Sequence, residues 1–275
     1  MGLTTTSGLR GIVSTQYFDL LKLTNNEFVS TNAAVADITQ NFVWGAFAVS
    51  LVSPADQFYT VEVKNNKVVA APTFKLFGRG FYLGSNEGNA PGGIIGENQI
   101  QAYYAIQAAR VPSNLDILDN QINGTSMFNV ALNNAVITIE NNTFSADQQL
   151  TPMGLYAVVE FRAIENGSIN FAANQVSGYV NIGLLSSASK AISVVGNTFT
   201  PAATAENFAS IMANTKMMTT GVQGNTYSDE ISLIGNTFNA GATDKGSAIV
   251  FADHFGVNTP AFNAITIGGA TAVEK

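Results

Sequence analysis

One eight-residue pattern recurs along the 275-residue chain and narrows what it can fold into: apolar, polar, apolar, two further residues, Asn, polar, apolar. It appears as LKLTNNEF, VEVKNNKV, LDILDNQI, ITIENNTF, INFAANQV, ISVVGNTF and ISLIGNTF, with weaker copies in GGIIGENQI and ITIGGATA. Aligned on the Asn, the copies fall at Asn26, Asn66, Asn98, Asn120, Asn142, Asn174, Asn197 and Asn236, with Ala270 in the ninth. Five residues earlier stand Leu21, Val61, Gly93, Leu115, Ile137, Ile169, Ile192, Ile231 and Ile265. Three earlier stand Leu23, Val63, Ile95, Ile117, Ile139, Phe171, Val194, Leu233 and Ile267. The residues between these columns are polar, Ile94 excepted. Alternation of this kind marks a strand that buries one face, and the 3.6-residue period of a helix is missing.

The residue after the Asn is polar and the next is apolar, so a second strand starts just past it. Both strands bury the same side, which requires a bend between them. Asn tolerates the left-handed backbone that a short bend needs, so the aligned Asn is expected to adopt it, with Gly196 and Gly235 adding freedom. Successive copies lie 40, 32, 22, 22, 32, 23, 39 and 34 residues apart. A circuit of about 22 residues is the shortest that three short strands and their bends can fill, at ~3.3 Å per residue. Third-strand candidates lie near Phe81, Tyr104, Phe128, Val158, Ile182, Ile211 and Ile249.

These residues resemble the parallel β-helix repeats of the pectate-lyase-like superfamily, across positions 21 to 272. The resemblance implies an all-β fold, a right-handed single-stranded parallel β-helix of about nine coils. It also implies that the side chains of Asn98, Asn120, Asn142, Asn174, Asn197 and Asn236 form a hydrogen-bonded ladder inside the coils. It does not fix an activity, because the superfamily holds lyases, hydrolases, esterases, adhesins and tailspikes.

The reading is one domain over 1–275. Residues 1–20 serve as a partial N-terminal cap, 21–272 as coils, and 31–57, with Trp44, as an insertion that could cover one end. Both ends look under-capped for a solenoid. The chain is therefore expected either to be cut from a larger protein or to make end-to-end or homo-oligomeric contact.

A net charge of −7 and the lack of a Lys/Arg cluster argue against nucleic acid. With no Cys there is no thiol catalysis and no zinc–thiolate site. No cofactor and no metal are expected, and no apolar run is long enough to cross a membrane. Only 11% of residues are charged, and Asn, Thr, Ser and Gln supply the polarity. That surface suits an extracellular or cell-surface protein whose partner is a polysaccharide or surface glycan.

Catalytic candidates are sparse. His254 beside Asp253 is the one possible His base, but the motif that accompanies such a His in polygalacturonase-like relatives is missing. Glu160 with Glu165, and Asp116 with Asp119, are candidate carboxylate pairs. Arg162 with Glu160, and Arg110 before Val111-Pro112, distantly echo the lyase arrangement. Aromatic residues begin several third strands: Phe81, Tyr82, Tyr103, Tyr104, Phe128, Tyr156, Tyr179 and Phe208. The Phe rings are expected to point inward. Tyr103 and Tyr104 are adjacent, so one of them should face outward as a platform for a sugar ring. The expected groove holds Tyr103 or Tyr104, Arg110, Tyr156, Glu160 and Arg162. Three functions follow as alternatives: a non-catalytic glycan-binding or adhesive solenoid, a polysaccharide lyase or glycoside hydrolase, and a phage tailspike-like module.

Overall fold

The computed structural model describes residues 12–14, 18–31, 45–49, 59–84, 90–111, 113–131, 134–146, 157–162, 167–178, 181–185, 191–201, 209–213, 230–239, 247–251 and 264–268. Their regular structure is all β-strand, arranged as one nine-stranded and one fifteen-stranded sheet. Every strand pairing among them is parallel.

The nine-stranded sheet is built from the first strand of each repeat. In order these are β2 (Leu20–Thr24), β5 (Thr60–Lys64), β8 (Gly92–Gly96), β10 (Leu115–Leu118), β12 (Val136–Glu140), β15 (Ser168–Ala172), β18 (Ala191–Val195), β21 (Glu230–Ile234) and β24 (Ala264–Gly268). Its register follows the sequence columns: Leu21, Val61, Gly93, Leu115, Ile137, Ile169, Ile192, Ile231 and Ile265 pair in succession. From Val61 to Leu233 the aliphatic and Phe members of both columns are buried in a single core. Gly93 interrupts the first column for a steric reason. Its φ is +107°, and a Cβ there would lie 2.2 Å from the Val61 carbonyl oxygen. On the outward row Lys22 and Glu62 form an ion pair at 2.8 Å. That hydrogen bond and the lysine charge hold the Glu62 carboxyl below its ordinary range.

The bend lies one residue earlier than the sequence reading placed it. Positive φ occurs at Asn25, Asn65, Glu97, Asp119, Asn141, Ala173, Gly196 and Gly235, each directly before an aligned Asn. Left-handed geometry at that position redirects the chain and leaves the following Asn free to turn its side chain inward. The amides of these bend residues are held by the next repeat, as in Asp119 N–H to the Glu140 carbonyl at 3.1 Å and Ala173 N–H to the Val195 carbonyl at 3.0 Å.

The fifteen-stranded sheet contains two rows. One holds the second strands: β3 (Glu27–Ser30), β6 (Lys67–Ala70), β13 (Thr143–Ala146), β16 (Gln175–Gly178), β19 (Thr198–Pro201) and β22 (Thr237–Phe238). The other holds the third strands: β1 (Ile12–Ser14), β4 (Phe47–Val49), β7 (Phe77–Leu83), β14 (Val159–Arg162), β17 (Ile182–Leu185), β20 (Ala209–Ala213) and β23 (Ser247–Phe251). Two long strands, β9 (Gln99–Val111) and β11 (Gln121–Ala131), belong to both rows and join them. Second and third strands are thus fused in these two repeats. The change of direction is taken up within the strand: the β9–β11 register shifts around Thr125, next to Gly124 at φ +133°. A Cβ on Gly124 would stand 1.8 Å from the Ala102 carbonyl oxygen.

The stretch 31–57, read as an insertion, contributes β4, which pairs with β1 and β7. The stretch 1–20, read as a cap, contributes β1. Aromatic rings knit the rows together. Phe171 of β15 stacks on Phe144 of β13 at 5.9 Å and meets Phe161 of β14 edge-on at 6.0 Å.

Candidate functional site

The aligned Asn side chains form a continuous ladder. Nδ2 of Asn26, Asn66, Asn98, Asn120, Asn142, Asn174 and Asn197 each donates to Oδ1 of the next Asn, ending at Asn236, over 2.9–3.1 Å. The same Oδ1 also accepts the backbone N–H of the preceding Asn. Nδ2 reaches backbone carbonyls as well; that of Asn142 donates to Ile117 and Glu140 at 2.8 and 2.9 Å. From Asn66 to Asn197 the amides are buried and spend their donors and acceptor within the ladder and on nearby backbone carbonyls, so the column fastens the repeats together and offers nothing to a ligand there.

Chemically diverse side chains gather instead on the outward face of the third-strand row. Phe81, Ile106, Phe128 and Phe161 face the core. By alternation the adjacent residues, Tyr82, Gln107, Met127 and Glu160, project to the other side. They form one cross-strand column, continued by Gly183. Arg79 lies beside it, paired with Tyr104, its guanidinium carbon 4.4 Å from the centre of the Tyr82 ring. This is a cation–π contact. Burial lowers the Arg79 pKa while the nearby Tyr82 and Tyr104 side chains act to raise it. Burial raises the Tyr82 pKa, and Arg79 opposes that shift. Tyr103, Tyr104 and Met127 make a second, small apolar cluster with Leu76 against it. Gln107 Nε2 donates to the Met127 sulfur at 3.9 Å, while its Oε1 is buried without a hydrogen-bond partner.

This arrangement corrects the tyrosine reading. Tyr103 and Tyr104 are 7% and 8% exposed and belong to the same cluster, so neither is an open platform. The cause is the irregular β9–β11 register. Ala102 and Tyr103 before Tyr104, and Ala105 after it, have no partner in β11, which breaks strict alternation.

The remaining candidates are scattered. Glu160 is fully buried at 0% exposure on the outward column. Arg162 ends β14 and pairs with Asn129 and Leu185; its side chain lies outside the described set. Arg110 is half-buried near the end of β9 with φ +57°, and its carbonyl accepts the Ala90 N–H at 2.9 Å. Asp116 is half-buried on the outward row of the nine-stranded sheet, and Asp119 is exposed at the bend. His254, Tyr156, Glu165, Tyr179 and Phe208 lie outside the described residues. Phe81 and Phe128 point inward. Among the described residues no three acidic or His side chains come together as a metal site, and no helix is long and apolar enough to cross a membrane.

Arg79, Gln107 and Met127 escaped the sequence reading. The available signal was the string Gly78-Arg79-Gly80 beside the aromatic pair Phe81-Tyr82. Gly80 is there because a Cβ would sit 2.4 Å from the Ala105 carbonyl oxygen. No protein-family model, curated protein or solved structure gives a significant match to this chain.

Proposed function

We propose that the chain is a right-handed single-stranded parallel β-helix of about nine coils that serves as a non-catalytic scaffold outside the cell or at its surface, holding glycans or building an adhesive layer. The continuous parallel register and the Asn ladder support the solenoid. One observation carries the glycan reading: from β9 to β22 the outward face of the second strands is an uncharged, repeating array, whereas at β3 and β6 the same row holds the Glu27–Lys67 ion pair. Gln99, Gln121, Thr143, Gln175, Thr198 and Thr237 pair in one row. Gln101, Asn123, Ser145, Ser177 and Thr200 pair in a second. Hydroxyl and amide groups recur once per strand, ~4.8 Å apart, each able to donate and accept. A repeating neutral array fits a repeating hydroxyl-rich polymer better than a single small molecule.

A glycan-array screen of the wild-type chain and the Gln121→Ala/Thr143→Ala/Gln175→Ala triple variant tests this. Binding to one polysaccharide class, lost in the triple variant, is the expected result. Binding that survives the triple change removes the array from the argument. Release of unsaturated or reducing sugar ends from a bound polymer overturns the non-catalytic reading in favour of a lyase or hydrolase.

A further inference from the structure

The two ends of the nine-stranded sheet are finished differently. At the first end, Leu23 is buried, Phe18 and Leu21 pack on the core, and β2 carries the charged Lys22. Among the described residues each edge strand has one partner, β5 for β2 and β21 for β24, and the difference lies in the side chains of β24. Its inward side chains, Ile265 and Ile267, continue columns whose previous members, Ile231 and Leu233, are buried. They nevertheless stand 45% and 60% exposed. Phe238 and Ile249 are also only partly buried. Edge strands are normally blunted by Lys, Pro, a bulge or a cover. The sequence of β24, Ala-Ile-Thr-Ile-Gly, has no charge and no Pro.

We propose that β24 is the seam of a homodimer in which two copies meet tail to tail, their β24 strands antiparallel about a two-fold axis through Thr266. The strand's own pattern selects a second copy as the occupant. It reads the same in both directions about Thr266, small–Ile–Thr–Ile–small. A two-fold there sets Ile265 opposite Ile267 of the partner subunit, and Ile267 opposite Ile265 of the partner subunit, all on the inward side. Thr266 meets Thr266 of the partner subunit on the outward side, a favourable cross-strand pair. Ala264 faces Gly268 of the partner subunit, and space around Gly268 is open for 4 Å beyond where a Cβ would sit. The interface is isologous and closes on itself. Two uncharged edges also meet without the repulsion that a net charge of −7 per chain imposes elsewhere. Head-to-tail contact is disfavoured, because it would bring Ile265 and Ile267 against β2, whose inward Leu23 is already covered.

Sedimentation of the 275-residue chain tests this, with a species of twice the 28.9 kDa chain mass expected. Ile267→Lys should convert it to a folded monomer whose melting temperature no longer rises with protein concentration. The chain has no Cys, so Thr266→Cys introduces a single thiol. A short bis-maleimide should then give a covalent dimer in high yield, while Ser232→Cys, one strand inward in the same row, should not. A monomeric wild-type chain overturns the proposal. So does an oligomer that Thr266→Cys fails to cross-link, since the contact would then lie elsewhere or run head to tail.

Discussion

The nine-stranded sheet and the third-strand row bury one common core by different means. In the former, one sequence column supplies one structural column from β2 to β24, and each of the first seven repeats closes with an Asn that bonds the Asn of the next. In the latter, strands vary from the three residues of β4 to the thirteen of β9, and the register slips around Thr125. Constancy in the first region frees the second to vary. Once the ladder fixes the stacking, the third strands need only keep large apolar side chains pointing inward, and their outward face can collect Arg79, Tyr82, Met127 and Glu160.

Phe171→Ala tests whether the two regions share one core. The ring belongs to the nine-stranded sheet yet packs on Phe144 and Phe161 of the other. Truncating a buried Phe costs about 3–5 kcal/mol. Chemical denaturation should show that loss in a single transition; two separate transitions would break the shared core.

Asn142→Leu sharpens the contrast. It strips Asn120 of its side-chain acceptor and leaves the Ile117 and Glu140 carbonyls short of a donor. At ~1–3 kcal/mol per buried group left unsatisfied, a loss of about 3 kcal/mol is expected. Gln107→Leu, on the irregular face, should cost under ~1 kcal/mol, because its Oε1 is already without a partner. Equal losses in thermal unfolding would mean that the ladder holds no special place.

The smallest effects concern the bend. Ala173 takes φ +52° where Gly196 takes +65° in the next repeat. Left-handed backbone costs a non-Gly residue about 1–2 kcal/mol. Ala173→Gly should therefore stabilise by about 1 kcal/mol, after the added freedom of the unfolded chain is counted. Gly196→Ala should destabilise by a similar amount, and since nothing lies within 4 Å of its Cβ position the backbone alone is responsible. Melting shifts of the same sign in both variants would overturn the assignment of the bend.

The legible part of this molecule was the part with a fixed period. Two apolar columns and the Asn between strands sufficed to give the register of all nine first strands, because a slip of one residue would turn every side chain to the wrong face. The bend was misplaced by one position because Asn occurs in both places: Asn25 and Asn26, Asn65 and Asn66, Asn141 and Asn142. In the other five copies Glu97, Asp119, Ala173, Gly196 and Gly235 separate the bend residue from the ladder residue, and Glu and Ala are not residues that advertise a left-handed backbone. The tyrosine pair was misread because alternation was assumed through a stretch where the strand is irregular. Nothing in the residues around Tyr103 signals that irregularity, in which β9 carries extra residues opposite Gly124 and Thr125 of the neighbouring strand.

The ladder joins residues separated by anything from 22 to 40 positions, while the geometry of each link stays constant. In polymer terms, each repeat is a closed ring whose circumference is not specified. Closing a longer ring costs little, about 0.6 kcal/mol for each doubling of its length. A chain built this way can lengthen or shorten one ring without disturbing the next. Novelty can therefore enter at any loop and remain confined to the repeat in which it arose.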